Sequence, residues 1–278
     1  MSSSLFFRHF PRSSARTMAI IGMVHVRALP GSPRSALSVQ QLVDIACEEA
    51  AVYSGARLDG ICLENMFDVP YVKAEDAGPE TIAVMTRVAN EVRRITPASV
   101  PVGVQVLAAQ NRAAMAVALA AGLQFIRAEG FVFGHLADEG MMDACAGPLL
   151  RYRRQVGADD QVAILTDIKK KHCSHSITAD VDIVDTAKAA KFFLSDGMII
   201  TGRETGDSPD IEEVARVRAA LPDEPIIVGS GVTERNVGEF SRAGVNAAIV
   251  GSYFKQQGHW ANELCKDRLA KFMEAADH

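Results

Sequence analysis

The sequence predicts a single (β/α)₈ barrel, and three observations carry that prediction. Eight short, apolar, β-rich runs follow one another along the chain: Ala19-Val26, Leu58-Glu64, Val100-Leu107, Gln124-Glu129, Gln161-Ile168, Asp196-Thr201, Glu224-Gly229 and Val245-Gly251. Each is separated from the next by a longer amphipathic segment, the pattern of parallel strands joined by crossover helices. The last two runs end in glycine-rich junctions, Gly229-Ser230-Gly231 and Gly251-Ser252, where barrels of this kind commonly bind phosphate. A chain of 278 residues with 48% hydrophobic content suits one such barrel over residues 18–278. An open doubly wound sheet uses the same units, but a count of eight with chemistry at both ends favours closure.

The segments between the runs carry ordinary helix signals. Ser38-Val39-Gln40-Gln41 has capping-box spacing, Pro79 follows Gly78 at a first helical turn, and Ser208-Pro209 pairs a cap candidate with an N1 proline. Core-facing stripes run through Leu42, Ile45, Ala46 and Glu49, through Ile82, Met85 and Val88, and through Ile211, Val214, Val217 and Leu221. The loop after the fourth strand, Gly130 to Gly140, breaks the rhythm and reads as a lid.

A net charge of -5, with acids and bases mixed, argues against nucleic-acid binding and for a small-molecule partner. Five dispersed cysteines, an odd number with no Cys-x-x-Cys pair, read as reduced thiols. No apolar stretch approaches the roughly 20 residues that span a bilayer. Residues 1–17 stand apart: serine-rich, free of acids, with Leu5, Phe6, Phe7 and Phe10 and arginines at 8, 12 and 16. Arginines four apart share a helical face, as in an organelle-import leader, which the resemblance described below makes mitochondrial. Translation from Met18 would instead leave a cytoplasmic protein.

Barrel active sites form at the C-terminal ends of the strands, so the polar residues there are the candidates. Gly229, Ser230, Gly231, Gly251 and Ser252 are expected to cradle a phosphate with backbone N–H groups, and the run Thr201 to Gly206, through Gly202, Thr205 and Gly206, to extend that pocket. Strand five ends Thr166-Asp167-Ile168-Lys169-Lys170-Lys171-His172. Strand alternation puts Asp167 and Lys169 on one face, which suits acid/base or Schiff-base chemistry with His172 beside them. Glu64 and His25 complete the catalytic candidates. Asn65, Asp68, Arg127 and Glu129 are expected to bind an anionic substrate. No organic cofactor is implied. His172, Cys173 and His175 could hold zinc, although their spacing is not diagnostic, and Glu64, Asp68, Glu129 or Asp167 could hold a hard divalent cation. Association into a homo-oligomer is expected.

These residues resemble the BtpA family of TIM-barrel proteins, named for a factor in photosystem I biogenesis. The likeness rests on Ile21-Gly-Met-Val-His25 with Leu29-Pro-Gly-Ser-Pro33, Asp59-Gly60 with Glu64-Asn65 and Asp68-Val-Pro70, Phe125-Ile-Arg127, Leu150-Arg-Tyr-Arg153, Asp167 with Lys171-His172, and Val228-Gly-Ser-Gly-Val232. Arg127-Ala-Glu-Gly-Phe131, Ala137-Asp-Glu-Gly140 and Asp167 to His175 are similar to an animal-type mitochondrial branch. The photosynthetic type carries Asn where this chain has Gln105 and Glu129, so substrate and photosystem role do not transfer directly. The resemblance implies an assembly or stability factor for a membrane complex, a non-catalytic alternative. The residues imply isomerase- or lyase-type chemistry on a phosphosugar or nucleotide-derived metabolite. The Asp167-x-Lys169 pair is also similar to barrel decarboxylases with Asp-x-Lys-x-x-Asp, although His172 stands in the last position.

Overall fold

The computed structural model describes residues 4–11 and 16–277. Eight parallel strands close into a barrel: β1 Ala19–His25, β2 Gly60–Glu64, β3 Val102–Gln105, β4 Phe125–Ala128, β5 Ala163–Ile168, β6 Gly197–Ile200, β7 Ile226–Val228 and β8 Ala247–Val250. Each lies inside one of the eight expected runs, and β1 pairs with both β2 and β8 to complete the ring. A short helix, α1 (Leu5–His9), precedes β1, the crossovers are α2 (Val39–Gly55), α3 (Pro79–Ile95), α4 (Asn111–Ala121), α5 (Ala146–Gln155), α6 (Ile183–Phe192), α7 (Ile211–Ala220) and α8 (Val237–Arg242), and α9 (Lys266–Ala276) follows β8.

Strand alternation divides the core in two. Ile20, Val24, Ile61, Leu63, Val102 and Val104 face outward and pack under the helices. Ile21, Met23, Cys62, Phe125, Leu165, Ile199, Ile227 and Ile249 fill the barrel interior. Leu5, Phe6 and Phe10 belong to this inner cluster, with the Phe10 ring 5.7 Å from that of Phe125. The first seventeen residues, read above as a leader, therefore include a segment that closes the barrel floor. Arg8 donates to the Asp160 carbonyl at 3.3 Å, and Arg16 pairs with Asp59 at 2.8 Å; Arg12 lies outside the described residues.

The helix starts follow the sequence with one exception. Ser38 and Gln41 form the reciprocal capping box, and Pro79 occupies the first turn of α3. Ser208 does not cap α7; Asp210 does, accepting from the Glu212 amide, because Pro209 holds the chain extended for two further residues. Ile82, placed on a core stripe, is 40% exposed. Glu49, on another, is buried, and its carboxylate meets Lys255 Nζ at 2.5 Å.

The long loop after β4 folds into a roof. Its strands His135–Ala137 and Gly140–Met142 form an antiparallel sheet with Cys173–Ser174 from the loop after β5. No helix among the described residues is long and apolar enough to cross a membrane.

Candidate functional site

The inner-face parity that places Met23, Cys62 and Leu165 in the barrel continues upward to His25, Glu64 and Asp167. Two cavities meet at this mouth. One, of about 130 Å³, is lined by Gly206, Gly229, Ser230, Gly231, Gly251, Ser252 and Arg268 among others. The other, of about 250 Å³, is lined by Gln105, Glu129, Asp138, Glu139, Asp167, Lys170, His172, Thr205 and Trp260 among others. Glu64, Met66, Arg127 and Lys171 border both.

The glycine lobe joins the two expected junctions in one concavity. Gly231 has φ of +60°, and a Cβ there would lie 2.1 Å from the Ser208 amide nitrogen. Only glycine lets the loop after β7 press so closely on the loop after β6. Ser230 ties the same loops: its hydroxyl accepts from the Gly202 amide at 2.8 Å and donates to the Asp207 carbonyl at 2.7 Å. Gly202 is thereby a loop anchor and lies outside this lobe, while Gly206 lines it. Arg268, at the start of α9, brings a cation to the wall, held by its bond to the Tyr253 carbonyl at 2.6 Å and its stack on the Tyr253 ring at 4.2 Å.

In the acid lobe two buried carboxylates, Asp167 and Glu129, are matched by bases. Arg127 grips Asp167 with two hydrogen bonds of 2.8 and 2.7 Å. Burial works against the Arg127 charge, but the Asp167 carboxylate outweighs it and raises the guanidinium pKa. Glu129 accepts from Lys170 Nζ at 3.0 Å, Gln105 Nε2 at 3.0 Å and the Ala109 amide at 2.9 Å. Burial pushes the Glu129 carboxyl up, and Lys170 overcomes that and holds it below the ordinary value.

Two groups at the shared border stand without such a match. Among the described residues Glu64 comes no nearer a base than His25 Nε2 at 3.8 Å, too long for a hydrogen bond. Burial pushes its carboxyl up against the pull of Arg127 and Lys171. Lys171 Nζ has no hydrogen bond or ion pair within the described residues, and burial together with the nearby Arg127 charge lowers its pKa. A raised acid beside a lowered amine is the pairing that acid/base chemistry near neutral pH requires.

His25 Nδ1 bonds to the Trp260 carbonyl at 3.1 Å, leaving Nε2 toward the mouth. Burial, then Lys255, lowers its pKa to about 3. His135, buried with Nε2 unpartnered among the described residues, is lowered to about 4, first by burial and then by Lys170. Both imidazoles are neutral in the fold but titrate near 6.5 when unfolded. Their depressed folded values give stability that is present above pH 6.5 and lost as pH falls toward 4 and 3. For the fully buried His25 the loss is about 2 kcal/mol at pH 5, so the melting temperature is expected to fall from pH 7 to pH 5. His25→Gln should flatten that fall; an unchanged slope would rule the assignment out.

Several expected site residues lie elsewhere. Lys169 does not share the face of Asp167: the strand ends at Ile168, Lys169 turns to φ of +44°, and its Nζ reaches the Thr178 carbonyl at 3.2 Å, outside the mouth. That turn swings Lys171 inward. Asn65 and Asp68 form a clasp, with Asn65 donating to Asp68 at 2.9 Å and accepting from the Leu107 amide, and Asp68 accepting from the Leu29 amide at 2.7 Å. They brace loops beside the mouth. His172 lies at the rim of the acid lobe, accepting from the Thr205 amide at 3.2 Å. Among the described residues no group of three or more His, Cys, Asp or Glu side chains gathers as a metal site. Sequence reasoning missed Lys171 as a mouth residue, along with Lys170, Trp260 and Arg268.

A family model matches residues 16–278. The chain belongs to the BtpA family. A relative from Caenorhabditis elegans, named as an uncharacterised mitochondrial protein, is 46% identical over 92% of this chain and 91% of its own length. The photosystem I biogenesis protein BtpA of Synechocystis is 33% identical over 92% of this chain and 87% of its own. Among solved structures, (S)-3-O-geranylgeranylglyceryl phosphate synthase from Thermoplasma acidophilum, in complex with sn-glycerol-1-phosphate, superposes with a TM-score of 0.60 at 15% identity, covering 100% of this chain and 99% of that one. At that identity the likeness is one of fold, and it places this BtpA chain among the TIM barrels.

Proposed function

We propose that this BtpA protein binds a phosphorylated small metabolite, a phosphosugar or a nucleotide-derived compound, and catalyses an isomerase- or lyase-type proton transfer on it. The observation that carries this reading is the shared border: Glu64, Arg127 and Lys171 stand between a glycine lobe suited to phosphate and a polar lobe of paired charges. The phosphate lies against Gly229, Ser230, Gly231, Gly251 and Ser252, with Arg268 beside it. The rest of the molecule extends past Arg127 under the roof, where Asp138, Glu139, Thr205 and His172 meet it. Glu64 and Lys171 take the acid/base roles first expected of Lys169 and His172, and Asp167 holds Arg127 rigid between them. Barrels that bind phosphorylated ligands, such as the glyceryl phosphate synthase above, show that the fold accommodates such chemistry.

Melting the pure protein with inorganic phosphate and with a library of phosphosugars and nucleotides tests the reading. A ligand at one hundred times its Kd stabilises by about 2.7 kcal/mol. Gly251→Val places a Cβ 3.1 Å from His25 Nε2 and fills the glycine lobe, so the stabilisation is expected to vanish in that variant. The alternative suggested by the Synechocystis relative's name, a non-catalytic assembly factor, predicts neither stabilisation nor turnover; that outcome would end the metabolite proposal. A mitochondrial location is part of the same proposal, supported by the name of the Caenorhabditis elegans relative and by the arginine spacing of residues 1–17.

A further inference from the structure

We propose that Lys171 is a Schiff-base lysine whose Nζ forms an imine with the carbonyl carbon of a phosphorylated aldose or ketose. The inference rests on the phosphate lobe and names the substrate class that it serves.

Three consecutive lysines follow β5, and the structure gives each a different fate. Lys169 Nζ is spent on the Thr178 carbonyl and Lys170 Nζ on Glu129. Lys171 is the one of the three whose Nζ has no hydrogen bond or ion pair within the described residues, and it borders both lobes. Its backbone is pinned, with its amide donating to Thr201 Oγ1 at 3.0 Å and that of His172 to the Arg203 carbonyl at 3.0 Å. A fixed backbone with an uncommitted amine is the arrangement a nucleophile needs. Arg127 cannot compete for the carbonyl, because Asp167 holds it bidentately. Burial and the Arg127 charge favour the neutral amine, the form that attacks.

The step balances within these groups. The Nζ lone pair adds to the carbonyl carbon, the C=O π pair moves to oxygen, and Glu64 delivers the proton that makes it a hydroxyl. One N–H proton passes to the Glu64 carboxylate, which returns it to the hydroxyl; water leaves, the nitrogen lone pair closes the C=N bond of an iminium that keeps its second N–H, and no oxidant or reductant is involved. The resulting iminium acidifies the adjacent C–H, and the Glu64 carboxylate is placed to take that proton. Anchored by its phosphate in the glycine lobe, the carbonyl end of a short sugar phosphate lies at the border where Glu64 and Lys171 stand.

Borohydride reduction reads this out directly. The full chain is incubated separately with dihydroxyacetone phosphate, glyceraldehyde 3-phosphate and ribulose 5-phosphate, treated with sodium borohydride and mapped by peptide mass spectrometry. The expected result is a reduced adduct on Lys171, suppressed by saturating inorganic phosphate. Lys171→Arg is expected to lose the adduct yet keep the thermal stabilisation by phosphate; if that variant does not fold, the wild-type map still decides. A sugar phosphate that stabilises the protein while leaving Lys171 unlabelled, or labelling another lysine instead, overturns the imine and leaves the phosphate reading intact. No stabilisation by any of the three, nor by phosphate, removes both.

Discussion

Replacing Lys255 by methionine is expected to lower stability by about 3–5 kcal/mol, because it leaves the Glu49 carboxylate buried without its cation. Lys255 follows β8 and is 1% exposed; Glu49 sits on α2 at 6%. Burial pushes the Glu49 carboxyl up despite Lys255, and among the described residues its Oε2 has no hydrogen-bond partner even in the intact pair. Removing one member therefore strands a charge that is already incompletely solvated. Urea unfolding measures the loss, and the melting temperature should drop by roughly 10 °C. The double variant Glu49→Leu with Lys255→Met is expected to recover most of the loss, since well-packed apolar groups replace buried ion pairs with little cost. A single variant within about 0.5 kcal/mol of the parent would show that the pair carries no weight.

Replacing Arg127 by methionine is expected to have the second-largest effect, and on two quantities at once. Stability should fall by about 3 kcal/mol, near the low end for breaking a buried pair, since Lys170 and Lys171 remain to face the Asp167 carboxylate. The two reactive groups should also shift together. Arg127 pulls the Glu64 carboxyl down and pushes the Lys171 ammonium down, so its loss raises both. Lys171 then holds its proton to higher pH, and borohydride labelling at neutral pH should drop while recovering at alkaline pH. Recovery at high pH separates a shifted amine from a collapsed site, which would stay unlabelled throughout.

The architecture and much of the mouth were legible in the sequence because both follow from a period of two. Once Met23, Cys62 and Leu165 are assigned to the barrel interior, His25, Glu64 and Asp167 fall on the same face two residues later. The reading broke where the period ends. At Lys169 the backbone enters the left-handed region, and the register that named Lys169 passes to Lys171. No local pattern in Ile168-Lys-Lys-Lys171 announces that turn; it is fixed by the Lys171 amide bonding to Thr201 and the His172 amide to Arg203. Asn65 and Asp68 looked like substrate ligands because they sit at a strand end, yet their hydrogen bonds go to Leu107 and Leu29. Trp260, Arg268 and Lys255 come from the irregular segment after β8 and from α9, where only long-range packing decides what faces the site. Glu49 did leave a trace in the sequence: a lone acid on a core-facing stripe.

The closed floor gives residues 4–11 a place in time as well as in space. An import machinery that read Arg8 in this segment would meet it on an unfolded chain, whereas in the folded chain Phe6 and Phe10 belong to the inner core. Recognition and burial are then successive uses of one peptide. A protease that trimmed it would act on the threaded chain before closure, or would face a segment whose Leu5 and Phe6 are no longer accessible. Trimmed and untrimmed molecules would share the mouth with Glu64, Arg127 and Lys171 but differ at the opposite end, where the ring of Phe125 would lose the cover of Phe10.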